Sequence, residues 1–175
     1  MFGNVIQIGV QKVTLETTDS IKGCHTGFPA IEITTDDFRH ASCDQIFFKK
    51  IEGLYNKALS LKPESYETML SLGKHFYNQM LFLDEDIYKA RGTNPDVVKK
   101  KAELQAQLDE LVNKSIPVLE KVFTHYDPMG KLKVSERSNF KSACTLLNYC
   151  YDKKKDKAKA DFYQKKYDEA DTAHQ

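Results

Sequence analysis

The chain has almost no charge imbalance: its 175 residues carry 26 basic and 25 acidic side chains, a formal net charge of +1. A balance this close creates no strong field, so nothing global points to nucleic acid or to a membrane surface. No run approaches the ~20 apolar residues that a membrane span requires. The first ten residues, Met1 to Val10, have neither a basic start nor a long apolar stretch, and so do not read as a secretory signal. The cytoplasm is the expected compartment, and the periplasm if the N-terminus is truncated. Four cysteines, at positions 24, 43, 144 and 150, are too few and too scattered for a disulfide scaffold, and reduced thiols are the default. There is no Gly-rich phosphate loop. His75 and His125 have no nearby Ser, Cys or carboxylate set of the kind a triad needs, so no enzymatic activity and no cofactor are expected.

What is present is an ordinary globular composition, 41% hydrophobic and 29% charged, in a length that suits one domain or one domain with an appendage. Residues 1–43 hold most of the β-type signal. The stretch Val5 to Leu15 is rich in branched residues and alternates in places, and Ala30 to Thr34 reads as a second short strand after the breakers Gly23, Gly27 and Pro29. Strands this few make no stable sheet alone. The segment must dock, pair with another chain or stay loose.

From Ser42 the pattern is helical. Ser42 and Gln45 fit a capping box. Ile46, Phe47, Ile51, Leu54, Tyr55, Ala58 and Leu59 recur at helical spacing until Pro63 stops the run. A second helix is expected over about Tyr66 to Leu83, with Met69, Leu72, Gly73, Phe76 and Met80 on one face. The acidic turn Asp84-Glu85-Asp86 follows and reads as solvated. Thr93 or Asn94 caps the next helix, with Pro95 in its first turn. That helix carries an apolar stripe from Val97 to Phe123, and Pro117 should kink it or split it. After Asp127-Pro128-Met129-Gly130, helices are expected from about Ser135 to Tyr151 and from about Lys155 to Ala170, with residues 171–175 frayed.

One phrase occurs twice: an apolar helix end closed by proline, Leu54 to Pro63 and Leu119 to Pro128, each followed by a second helix. Repetition of a helix–turn–helix unit marks a solenoid. In detail the residues resemble the tetratricopeptide repeat. Leu72-Gly73 and Phe76 match its first helix, with Met69 where a bulky residue is expected. Tyr55, Ala58 and Pro63 match its second helix, as do Ser115, Leu119, Val122 and Pro128 more loosely. Cys144, Leu147-Asn148, Tyr151, Ala158 and Phe162 give a further copy, with Asn148 where glycine is preferred. The two prolines lie 65 residues apart, about 31 more than the standard unit of about 34. The excess falls between Leu81 and about Asn113 and looks like extra helical turns, with the connecting turn near Gly92. The pattern is similar to tetratricopeptide proteins of Bacteroidetes-type bacteria. The resemblance covers 44–170 and implies an all-α antiparallel helix-pair solenoid behind a short irregular or β-like segment, 1–43. That segment has no place in the family. It is read either as a cap or as the mark of a truncated copy of a longer repeat protein.

The family's first helices line a concave face. In this register the face would present Glu67, Leu70, Lys74, Tyr77 and Asn78 from one helix, and Ser142, Thr145, Tyr149, Asp152 and Lys153 from the next. Mixed polar and aromatic groups on a rigid surface suit a protein or peptide partner. The end helix around Phe47 and Phe48 offers a surface for homo-oligomerisation. Two other constellations weigh less. Cys24-His25 and His40-x-x-Cys43 hold donors of zinc type, but without the usual Cys-x-x-Cys knuckle and with two ligands adjacent, so no metal is expected. Residues 152–166 carry seven lysines against three aspartates, a local charge of +4, with Phe162 and Tyr163 interleaved. A solvated helix face explains this better than nucleic-acid binding. Cys144 and Cys150 fall on the packed face and read as small buried hydrophobes.

Overall fold

The computed structural model describes residues 41–174, with side chains from residue 46. Among them are five helices and no strand: α1 (Ala41–Leu61), α2 (Tyr66–Lys89), α3 (Pro95–Tyr126), α4 (Val134–Lys153) and α5 (Lys157–Ala173). The strands expected before residue 41, Cys24, His25 and His40, and the side chains of Ser42, Cys43 and Gln45 lie outside the described residues. The packing set out below belongs to the unit that runs from Phe48 to Gln175.

Local chemistry fixes most boundaries. Asn94, rather than Thr93, caps α3: its side chain accepts from the backbone N–H of Asp96 at 2.8 Å and of Val97 at 3.1 Å. Pro95 follows at the first helical position, where its missing donor is of no consequence. Gly92, at φ +127°, takes the turn between α2 and α3 through a region that side chains avoid. At the start of α4 the Lys133 N–H donates to Glu136 Oε2 at 2.8 Å, which satisfies one helix-end donor. Asp156 caps α5 by accepting from Lys159 N at 3.1 Å.

Three expectations are corrected. Of the kink or split expected at Pro117, the split is overturned: α3 runs unbroken for 32 residues, with Pro117 on its exposed side. Asp84-Glu85-Asp86 is not a turn, because α2 continues to Lys89. The C-terminus does not fray at 171: α5 reaches Ala173, and His174 is 3% exposed. His174 Nδ1 lies 2.6 Å from the Met129 carbonyl and its ring stands edge-on to Phe140. The chain is helical on both sides of the turn near Gly92, in the last turns of α2 and the first turns of α3.

Contacts give the directions. Tyr66 stacks on His125 at 3.6 Å, and Gly73 faces Leu119, so α2 and α3 are antiparallel. Phe123 stacks on Phe140 while Lys154 reaches Asn113, so α3 and α4 are antiparallel as well. Asn148 Nδ2 donates to the Ala160 carbonyl at 2.8 Å and Lys141 pairs with Asp171, which makes α4 and α5 antiparallel. The first and third of these helices, α2 and α4, touch side by side in parallel, through Tyr77 with Tyr149 and Asp84 with Lys153. α1 lies on α2 through Phe48 and Tyr55, both against the His75 ring, and His75 Nε2 donates to the Phe48 carbonyl at 3.1 Å.

The core runs through these seams. Met80, Leu108, Val112, Leu119, Val122, Phe140 and Leu147 are essentially fully buried, and such side chains supply the main driving force for folding, ~1.5–3 kcal/mol each. Cys144 and Cys150 sit among them, as small apolar groups, both free thiols. Ser115 is fully buried beside Cys150, and its hydroxyl makes no hydrogen bond of ordinary geometry.

Candidate binding face

α2 and α4 together form the face on which the sequence places a groove. The helical period brings positions 67, 74 and 78 of α2 to one side, and positions 142, 145, 149 and 152 of α4 to one side. Glu67, Asn78, Thr145 and Asp152 are exposed, and Lys74, Tyr77, Ser142, Tyr149 and Lys153 are half-buried. Leu70 is corrected: at 3% exposed it belongs to the core and lines no groove. α2 packs against α1, α3 and α4, so its buried arc is wider than one apolar stripe and takes in Leu70.

A compact cluster locks the two helices together. The Tyr77 and Tyr149 rings meet edge to face at 4.9 Å, the geometry that the ring quadrupole favours. Tyr149 donates its hydroxyl to Asp84 Oδ2. Lys153 Nζ reaches both oxygens of the same carboxylate, at 2.7 and 2.6 Å, and lies 5.1 Å from the centre of the Tyr149 ring. Burial and the Asp84 charge hold both phenols above their ordinary range: the Tyr149 hydroxyl is pushed well up by burial and by its bond to Asp84, and Tyr77 is raised by burial, Asp84 and Cys150. Among the predicted residues, Tyr77, Tyr149 and Lys153 are therefore brought into one cluster. Its centre, Asp84, escaped the sequence reading, because an acid in a run of three acids resembles a solvated turn and its partners lie 65 and 69 positions away.

Asp84 is expected to matter for the shape of the face. An Asp84→Ala variant leaves the Tyr149 hydroxyl and the Lys153 ammonium without their acceptor, a loss of about 1–2 kcal/mol for charge-assisted bonds at a partly exposed site. Urea denaturation checks this, and Tyr149→Phe in the same background should cost little more, since the two residues share one bond.

The remaining residues that the sequence places on this face differ in exposure and in their bonds. Lys74 is half-buried with no ion-pair partner among the described residues, and burial lowers its ammonium below the ordinary lysine range. The Thr145 hydroxyl donates to the Lys141 carbonyl of its own helix at 3.0 Å. The Glu67 carbonyl accepts from Ser71, and the carboxylate stays at the surface.

Beyond the end of α4 lies an open cleft of about 690 Å³. Asp84, Asp109 and Asp152 line it together with Lys153, Lys154 and Lys155, so the cleft has no field of one sign. Asp109 already accepts from Gln105, and Lys154 already donates to Asn113. Among the described residues no group of three or more His, Cys, Asp or Glu side chains stands in metal-binding proximity, and no helix is long and apolar enough to cross a membrane.

Four of the seven lysines in the basic stretch have an acid partner in place. Lys157 pairs with Asp161, Lys165 with Glu169, Lys166 with Asp127 and Lys153 with Asp84, while Lys159 lies over the Tyr151 ring at 4.7 Å.

Comparison of the chain with protein-family models, with curated proteins and with solved structures finds no match.

Proposed function

We propose that this chain is a non-enzymatic scaffold of tetratricopeptide type that captures a protein or peptide segment on the face made by α2 and α4. The observation that carries the reading is the parallel, side-by-side placement of these two helices, pinned by Tyr77, Tyr149, Asp84 and Lys153. It is supported by the order of the neighbours: each helix lies antiparallel to the next, and alternate helices run parallel. Gly73 and Leu119, matched to the repeat from sequence, meet at the first such seam. A pinned pair of helices presents Lys74, Asn78, Ser142 and Thr145 at fixed spacing, and fixed spacing lowers the ordering cost of binding an extended or helical segment. The in-place pairing of the α5 lysines weighs against nucleic acid as the ligand, because phosphate binding draws on free cations.

Photo-crosslinking tests the reading. A benzophenone side chain placed at Asn78 and, separately, at Thr145 is expected to give an adduct of the same mass in native extract. The same group at Gln164, exposed on α5, is expected to give none. Equal labelling at all three positions, or none at the first two, overturns the proposal.

A further inference from the structure

A second surface lies on α1, away from the α2–α4 face. Phe48, Tyr55 and Leu59 turn inward to the body of the protein. The opposite side of the helix carries Lys50, Leu54, Lys57 and Leu61, spaced four, three and four apart and so on one stripe. Leu54 is 61% exposed, and Leu61, at 80%, is the most exposed large apolar side chain among the described residues. Lys49, Lys50 and Lys57 are exposed, and none forms an ion pair among the described residues. Glu52, the acid nearest to them in α1, is turned away and lies 3.7 Å from Lys114 of α3.

Gly53 sits at the edge of this stripe. A glycine within a helix costs stability unless something uses the space. At Gly73 the use is visible, since a methyl there would run into Leu119. At Gly53 nothing lies within 4 Å of where a methyl would stand. The helix thus bares a patch of backbone between free lysines and exposed leucines.

We propose that this stripe of α1 docks an acidic amphipathic helix of a partner protein, with leucine-type side chains against Leu54, Leu61 and the Gly53 patch and carboxylates against Lys50 and Lys57. The charge decides between occupants. An antiparallel second copy centred on Gly53 and Leu54 would set Lys50 against Lys57, like charge on like. A bilayer wants a continuous apolar face, which the alternating lysines interrupt, and it gains nothing from a helix notch. An acidic helix satisfies all three features at once.

The test uses the full chain and a fluorescein-labelled 18-residue peptide with leucine at helical spacing and glutamate on the flanks. Anisotropy is expected to show saturable binding that weakens at least tenfold when lysine replaces each glutamate, and again when the chain carries Lys50→Glu with Lys57→Glu. Gly53→Ala is the distinguishing variant. It should raise the melting temperature, because alanine is the better helix former, and yet weaken binding several-fold. Undiminished binding by Gly53→Ala, or equal binding of the lysine peptide, overturns the proposal. So does either competing occupant: a concentration-dependent dimer abolished by Leu54→Asp, or co-sedimentation with phosphatidylserine vesicles without peptide binding.

Discussion

Replacing Gly73 with valine is expected to remove about 3 kcal/mol or more from the stability of the protein. A Cβ built at Gly73 stands 2.4 Å from Leu119 Cδ2 and 2.9 Å from its Cγ, closer than side-chain carbons can lie. Leu119 is fully buried in α3, so it has little room to rotate away. A single methyl, in Gly73→Ala, costs about 1–3 kcal/mol of overpacking and recovers about 1 kcal/mol of helix propensity, for a net loss near 1 kcal/mol. Valine adds two further carbons and a stiff χ1, and no longer fits without separating α2 from α3. Urea denaturation reads both effects as a lower midpoint at unchanged slope. Pairing Gly73→Ala with Leu119→Ala should cost less than the two changes added, because the second opens the space the first needs. A rise in stability for Gly73→Ala alone would show that the seam relaxes freely and that close approach is not why glycine stands there.

Gly73 also marks what the sequence could reveal. Its place beside Leu72 and ahead of Phe76 set the register of α2, and the structure uses it as a contact point between helices. Proline and turn chemistry likewise located the end of α1 and both ends of α3, because Pro63, Gly92, Asn94 and Pro128 act on their own backbone within a few residues. Periodicity found the core for the same reason: an apolar residue recurring at helical spacing reports its face without reference to a partner. Cys144 and Cys150 were legible as buried hydrophobes on that basis. Interactions set by which helix lies next to which were not legible. Asp84 reads as one acid in a polar run until α4 brings Tyr149 and Lys153 beside it. Leu70 looks peripheral until a third neighbour widens the buried arc of α2. His174 looks like tail until Met129 and Phe140 receive it. Asn148 departs from the repeat pattern, and only the approach of α5 explains it, through the bond to the Ala160 carbonyl. Register thus assigned residues to the candidate face, while the cluster that joins α2 to α4 rests on long-range pairing.

Alkaline pH is expected to unfold the protein cooperatively near pH 11, although it carries almost no net charge at neutrality. Six buried or half-buried acids are held in their protonated forms by the fold. Burial pushes the Cys144 thiol up to about 12 and the Cys150 thiol to about 11, the latter partly offset by the neighbouring Ser115 hydroxyl. Tyr163 is raised to about 12, by burial and by Glu120, and Tyr151, bonded to the same carboxylate at 2.5 Å, is raised too. Tyr77 and Tyr149 are raised in the cluster around Asp84. The sign follows from the protons bound. Each of these groups has a higher value folded than unfolded, so above the ordinary values near 9 for thiols and 10 for phenols the unfolded chain has lost protons that the folded chain retains. Their contribution is present in full below pH 9 and falls away as pH rises. By pH 11 each thiol accounts for about 2 kcal/mol and each of the phenols Tyr149, Tyr151 and Tyr163 for about 1 kcal/mol, together about 7 kcal/mol, with Tyr77 acting in the same direction. That is comparable with the whole stability of a typical domain, ~5–15 kcal/mol. Helical circular dichroism and phenolate absorbance at 295 nm, followed together, check the prediction: part of the phenolate signal should appear only as helicity is lost. Tyr163→Phe should move the alkaline midpoint upward with little change at pH 7, because its hydroxyl makes only a long contact with Glu120, at 3.4 Å. If all nine tyrosines ionise in one smooth step around pH 10 while helicity holds to pH 12, then the fold does not restrain these protons, and the tight seams around Asp84 and Glu120 are looser than their distances imply.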